Sequence, residues 1–370
     1  MNKVRSFLDE LGLSLEKTAL PRDVKSPAPQ ELHFELTFNC NADCIMCNVA
    51  SLKKNEPELD IDEIRGLLDD SRLLDNIKYV IFSGGEPWLK KDFVRLVCLV
   101  KEKYGDAQIH ILSNLLDRDL AVKSIQGIKD ACGLERISIG SSLDGINQAH
   151  DRMRGVKDGF IKLNKTITAL KELFPGLNFS FNFTLSPANY DQLLPVFNWS
   201  AENNYHVSFQ VVVQKKETEQ LSWKADQLDA VDAQLDEMIR VMCEAVGVKN
   251  GIELLPNEGL LSRMLSLHYI GKYIRYPRRY FPNCVCGEKF AVVNPYGELY
   301  FCPVNKDMVF GNIKKGRFDE LWGGREAGKV RDFLNRRTCS CWLTCAYGFM
   351  IGDALSAGKM KYVKERFSAE

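Results

Sequence analysis

Six apolar runs of strand length alternate with six helical patterns, and this alternation constrains the fold of the chain more than any other feature. The strand candidates are Leu32 to Thr37, Tyr79 to Phe82, Gln108 to Leu112, Arg136 to Gly140, Asn178 to Thr184 and Val207 to Val213. Apolar residues recur at helical spacing near 62–73, 91–104, 119–131, 160–173 and 190–203, then in a longer stretch near 226–246. A period of two alternating with a period near 3.6 predicts β-α units with right-handed crossovers, and so an α/β fold on a parallel sheet. Six units fall short of the eight that close a barrel, which predicts a partial (β/α)6 TIM-like barrel open on one flank, wide enough for a bulky substrate.

In such a barrel the C-terminal strand ends converge on one mouth, so residues distant in sequence become neighbours. The first strand runs into FNCNADCIMCN, where Cys40, Cys44 and Cys47 stand at the spacing C-x3-C-x2-C. Three soft thiolates on one short loop suit a four-iron cluster with one iron left open to another ligand. On spacing alone zinc is the alternative; it needs a fourth ligand, and His33 precedes the loop. The second strand ends in Ser83-Gly84-Gly85-Glu86-Pro87. Two residues without Cβ let a backbone approach a small ligand or take positive φ, although a plain turn has the same composition. The third strand leads into Ser113-Asn114, and the fourth into Ser141-Ser142-Leu143-Asp144-Gly145, followed by His150-Asp151 and Arg154-Gly155. The bland readings are Asn114 as a turn former, Ser142 and Asp144 as caps, and Arg154 as a surface ion pair.

These motifs resemble those of the radical SAM superfamily, and the resemblance covers most of the chain. It implies that Cys40, Cys44 and Cys47 hold a [4Fe-4S] cluster whose open iron chelates S-adenosylmethionine. Met46 stands where that family often has an aromatic residue. Gly84, Gly85 and Glu86 correspond to the element holding the methionyl ammonium. The comparison places Asn114 and Ser142 near the ribose or methionine, and Arg154 at the methionyl carboxylate as a planar, always charged donor. The implied chemistry is reductive cleavage of S-adenosylmethionine to a 5'-deoxyadenosyl radical, which takes hydrogen from an unactivated C–H bond.

A second cysteine system fills the last third: Cys284, Cys286, Cys302, Cys339, Cys341 and Cys345. Phe290 to Val293, the turn Asn294-Pro295-Tyr296-Gly297 and Leu299 to Phe301 read as a hairpin able to present thiolates. By spacing, a zinc ribbon fits these residues as well. The G-x4-C of Gly297 and Cys302, Gly311-Asn312-Ile313 and Leu321-Trp322 resemble the SPASM or twitch extension of radical SAM enzymes. The tail offers C-x-C-x3-C rather than the longer two-cluster pattern, which implies one auxiliary [4Fe-4S] cluster on Cys286, Cys302, Cys341 and Cys345, with Cys284 and Cys339 as alternates. Cys98, Cys132 and Cys243 lie in helical apolar surroundings and read as core packing.

The expected organisation is an N-terminal helical extension (1–27), the partial barrel (28–246), a helical linker (247–280) and a small β-hairpin plus helix iron-sulfur domain (281–370). Lys plus Arg and Asp plus Glu balance at 49 each, so no general field attracts nucleic acid or an anionic membrane. A local basic run, Lys272 through Arg279, reads as a solvated edge. No signal-peptide core or run of about 18 apolar residues occurs, so a cytoplasmic enzyme is expected, its clustered cysteines binding metal rather than forming disulfides. The implied partners are a reduced flavodoxin- or ferredoxin-type electron donor and a small-molecule or peptide substrate. An auxiliary cluster favours a two-electron oxidation, and the lack of a preceding peptide-recognition domain favours a small polar metabolite over peptide maturation. His33, Glu35, His206 and Gln210 lie on strands facing the mouth, and none is singled out as a base. A non-enzymatic iron-sulfur or zinc scaffold would keep the cysteines but would not need Gly84-Gly85-Glu86.

Overall fold

The computed structural model describes residues 2–18, 28–213, 221–281, 284–336 and 339–367. In chain order the elements are α1 (Asn2–Glu16), β1 (Glu31–Thr37), α2 (Ile61–Asp70), β2 (Tyr79–Gly84), α3 (Phe93–Lys103), β3 (Gln108–Leu112) and α4 (Arg118–Cys132). There follow β4 (Ile137–Ser142), α5 (Gln148–Arg154), α6 (Gly159–Leu173), β5 (Asn178–Leu185), α7 (Leu193–Glu202), β6 (His206–Val211), α8 (Ala225–Val246) and α9 (Glu258–Arg275). The last elements are β7 (Phe290–Val293), β8 (Glu298–Tyr300), β9 (Val309–Asn312), α10 (Phe318–Gly323), α11 (Arg325–Asn335) and α12 (Thr344–Phe367). Residues 19–27, the last part of the expected N-terminal extension, lie outside the described residues.

The chain divides into two compact units, and the first comprises Val24–Asn182 and Cys286–Phe333. Its strands β1 to β4 and the Asn178 to Asn182 part of β5 are parallel and pair in sequence order. Strand β7 adds to the other edge of β1, also parallel, and β8 and β9 continue antiparallel. The expected hairpin is therefore present, and its first strand joins the barrel sheet. Alternation sorts the side chains. Leu32, Phe34, Leu36, Val80, Phe82, Ile109, Ile111, Ile137 and Ile139 are buried on one face. There Phe82 meets Phe93 of α3 edge-on, with centroids 6.0 Å apart. The alternate residues, among them His33, Glu35, Ser83, His110 and Ser138, give the opposite, inner face a polar lining.

Cys98 on α3 and Cys132 on α4 form a disulfide, which corrects the core-packing reading of these two residues. Each sits on the partly exposed side of its helix, where α3 and α4 run side by side. Helical periodicity within one element could not reveal the pairing.

The second unit comprises Met1–Asp23, Phe183–Val285 and Leu334–Glu370. Helix α9 is buried along nearly its whole length, and Trp342 stacks on Tyr269 at 5.7 Å and on Tyr347 at 5.1 Å. Helix α1 buries Leu8, Leu11 and Leu15. The basic run is spent on ion pairs: Lys272 with Asp9 at 2.6 Å, Arg275 with Asp229 and Asp232 at 2.9 Å each, and Arg278 with Glu16 at 2.8 Å. Among the described residues no helix is long and apolar enough to cross a membrane.

Candidate active site

The first unit brings together the cysteine loop, the glycine pair, Asn114, Ser142 and Arg154. Strand β1 ends at Thr37, whose Oγ1 accepts from the Asn39 backbone N–H at 3.0 Å and turns the chain toward Cys40. The end of β2 lies backbone to backbone against this turn: Gly85 N–H donates to Thr37 O at 2.7 Å and Glu86 N–H to Asn39 O at 2.8 Å. Gly84 has φ +126°, and a Cβ there would lie 2.3 Å from Thr37 O; one at Gly85 would lie 2.1 Å from Asn39 O. Both glycines are thus required by the approach of two backbones. Glu86 is delivered beside the cysteine loop as a consequence.

Glu86 is 1% exposed. Its Oε2 accepts the Asn114 backbone N–H at 2.8 Å, and its Oε1 has no partner among the described residues. Burial pushes the carboxyl up to about 7, against the opposing pull of Asn114 N–H and the Ser113 hydroxyl. A buried carboxyl with one oxygen unsatisfied is costly unless a donor completes it. The Asn114 side chain reaches the cysteine loop, donating to Asn41 Oδ1 at 2.6 Å with its Nδ2 3.8 Å from Cys40 Sγ. Ser142 ends β4, opposite Asn182 in the parallel register.

Helix α5 clamps the other side of the loop. Its last carbonyls, Met153 O and Arg154 O, accept the N–H groups of Ile45 and Asp43 at 3.1 Å each. Gly155 caps the helix with φ +63° and packs so closely that a Cβ would lie 2.2 Å from Asp43 O. Arg154 Nη1 donates to Cys44 Sγ at 3.2 Å, and its Nε lies 3.3 Å from Asp144 Oδ2. Asp144 N–H donates to His150 Nδ1 at 3.2 Å, which assigns the ring proton to Nε2. Burial, then the nearby Arg154 charge, pulls that imidazole down to about 3, so it stays neutral.

The inner face below the loop carries three polar pairs. His33 bonds Ser83, His110 Nδ1 lies 2.8 Å from Ser138 Oγ, and Lys306 pairs with Glu35. Burial, then the charges of Lys306 and His110, pulls His33 down to about 3. Lys306 extends from the loop after Cys302, with its Nζ 5.4 Å from the Tyr300 ring centroid. Cys302 accepts Asn305 N–H at 3.4 Å. A hydrogen bond from Cys286 and two backbone N–H donors outweigh burial and pull the Cys302 thiol down to about 6.

Comparison with known families decides what this arrangement belongs to. Residues 34–200 match the radical SAM superfamily, and residues 284–346 match the SPASM iron-sulfur cluster-binding domain. The chain belongs to the radical SAM superfamily. The AdoMet-dependent heme synthase of Methanosarcina barkeri is 26% identical over 82% of this chain and 85% of its own length. The PqqA peptide cyclase of Gluconobacter oxydans is 24% identical over 80% and 76%. The fold is that of native anSMEcpe with bound AdoMet and peptide, with a TM-score of 0.60 and 17% identity over 91% of this chain and 99% of that one. It is also that of Streptococcus suis SuiB bound to S-adenosylmethionine, with a TM-score of 0.59 and 16% identity over 83% and 68%.

The cofactors of this radical SAM enzyme are a [4Fe-4S] cluster, S-adenosylmethionine and auxiliary iron-sulfur chemistry in the SPASM domain. The residues fit them. Three free thiols share one loop, and the unsatisfied oxygen of Glu86 suits an ammonium donor. Among the described residues no three His, Cys, Asp or Glu side chains gather tightly enough for a single ion. A four-iron cluster takes its thiolates on separate irons and has no need of such convergence. Cys286 and Cys302 lie in the first unit, and Cys284, Cys339, Cys341 and Cys345 in the second, where Arg279 Nη2 donates to Cys339 Sγ at 2.9 Å. His206 and Gln210 also lie in the second unit, Gln210 donating to Thr184 Oγ1 at 3.0 Å. Sequence reasoning missed the clamp of α5 and the inner-face role of Lys306. A short element between Gly145 and Gly155, ending in Arg154, was the one available signal for the clamp.

Proposed function

We propose that this radical SAM enzyme carries out a two-electron oxidation of a polar metabolite bound against the inner face of the barrel. The observation that carries the reading is the buried, half-satisfied Glu86 beside three free thiols at consecutive strand ends. Cys40, Cys44 and Cys47 would hold the cluster, and Gly84, Gly85 and Glu86 would receive the ammonium of S-adenosylmethionine, with Asn114 and Ser142 bordering it. When bound, these cofactors supply a carbon-centred radical that takes hydrogen from an unactivated C–H bond. On sequence spacing, Cys286, Cys302, Cys341 and Cys345 are assigned to an auxiliary cluster, and a flavodoxin- or ferredoxin-type protein to electron supply.

The chain's own residues bind and orient. Glu86 offers its free oxygen to a cation, and the His33–Ser83 and Glu35–Lys306 pairs present fixed donors and acceptors to a polar substrate. Porphyrin-type compounds are the first metabolites to try, because heme synthases are among the relatives matched over most of both chains. Peptide maturation is the second reading, supported by the PqqA peptide cyclases. The test incubates reduced protein and S-adenosylmethionine with a porphyrin panel and, separately, with peptides encoded beside the gene. Loss of hydrogen from a porphyrin, seen by mass spectrometry together with 5'-deoxyadenosine, supports the first reading. Modification of a peptide alone replaces it with the second.

A further inference from the structure

We propose that Arg154 is a positioning residue of the cluster: held by Asp144, its guanidinium donates to the Cys44 thiolate and raises the reduction potential of the cluster. The proposal rests on the cluster assignment above and gives Arg154 a task other than the methionyl carboxylate. Three features fix the guanidinium. The Asp43 and Ile45 N–H groups bond the last carbonyls of α5, so the cysteine loop and the helix end form one backbone frame. Gly155 permits the close contact with Asp43 O that a side chain would block. Asp144, fully buried, holds Nε at 3.3 Å while Nη1 points 3.2 Å from Cys44 Sγ. The Arg154 side chain is only 11% exposed, so water screens little of its charge.

Reduction adds one electron to the cluster and needs no proton. A cation hydrogen-bonded to a ligating sulfur stabilises the more negative, reduced form, and donors to sulfur together with burial are the main protein controls on such potentials. Asp144 plays two opposed parts: it orients the guanidinium, and its charge offsets part of the effect. Losing the Arg154 cation should therefore lower the potential, whereas neutralising Asp144 should raise it. A lysine would keep the charge but lose the planar fork that reaches two partners at once.

The test uses the full-length protein reconstituted anaerobically, with iron counted for each variant. The midpoint is read by redox titration of the electron paramagnetic signal that S-adenosylmethionine perturbs, and the affinity for S-adenosylmethionine is measured separately by equilibrium dialysis. Arg154→Gln is expected to retain iron and to shift the reduction equilibrium at least tenfold toward the oxidised cluster, about 59 mV for one electron. Its affinity for S-adenosylmethionine should stay within about threefold of the unaltered protein. Arg154→Lys should fall between the two, and Asp144→Asn should move the midpoint upward. An unchanged midpoint in both Arg154→Gln and Arg154→Lys, with affinity for S-adenosylmethionine reduced tenfold or more, would overturn the proposal and put Arg154 on the ligand. If the unaltered protein takes up no iron on the loop, the cluster assignment itself fails, an outcome distinct from an unmoved midpoint.

Discussion

Glu86 Oε2 accepts the backbone N–H of Asn114 at 2.8 Å, so the end of β3 fixes the carboxyl that the end of β2 delivers. One oxygen is thereby spent and the other is held buried and open. The folded carboxyl titrates near 7 rather than 4.5 because burial disfavours its charge. A pKa raised by folding contributes stability that is complete below the unfolded value and is lost as pH rises through the folded one. Glu86→Gln removes the titration. Before cofactor loading, the variant is expected to melt higher than the unaltered protein at pH 8, with the difference shrinking at pH 5. Equal melting shifts at both pH values would refute this account of Glu86.

Gly85 leaves no room for a side chain, since a Cβ would lie 2.1 Å from Asn39 O. Gly85→Ala must therefore push the turn before Cys40 away from β2. The expected cost is on the order of 2 kcal/mol in chemical denaturation, with weaker binding of S-adenosylmethionine. A variant as stable as the parent would show that the two backbones do not meet this closely.

Lys306 and Glu35 form a pair whose side chains are 19% and 9% exposed. Removing one partner from such a pair strands the other charge. Lys306→Met is expected to cost about 3 kcal/mol, and the double change with Glu35→Leu to recover most of it. Urea denaturation of Lys306→Met, Glu35→Leu and the double variant reads this directly; additive losses would contradict it.

Cys98 and Cys132 are separated by 34 positions, so their disulfide closes a loop that should stabilise the fold by roughly 4 kcal/mol. Reductant should lower the melting temperature of the parent and leave a Cys98→Ser, Cys132→Ser variant unmoved. Alkylation followed by intact mass measurement reports whether the bond is present before reduction.

What could be read from the chain was whatever has a local signature. The parallel strands β1 to β5 announce themselves by alternation, and Cys40, Cys44 and Cys47 by spacing. The motif at Gly84 and Gly85 was legible, but the physical reason for it was not. The neighbour that forbids a Cβ is Asn39, more than forty positions away. Long-range pairings escaped for the same reason. Nothing near Phe290 to Val293 states that this strand will join β1, and nothing near Lys306 names Glu35 as its partner. Helix α5 was passed over because its seven residues are too few to show a period, yet its end carries Arg154 to Cys44.

The most direct test of the central claim is anaerobic reconstitution with iron and sulfide, followed by assay of S-adenosylmethionine cleavage by the reduced protein, with a Cys40, Cys44 and Cys47 triple alanine variant in parallel. The account predicts 5'-deoxyadenosine from the parent, none from the variant, and the loss of one cluster's worth of iron. Zinc in the parent, or cleavage that persists without the three thiols, would contradict it.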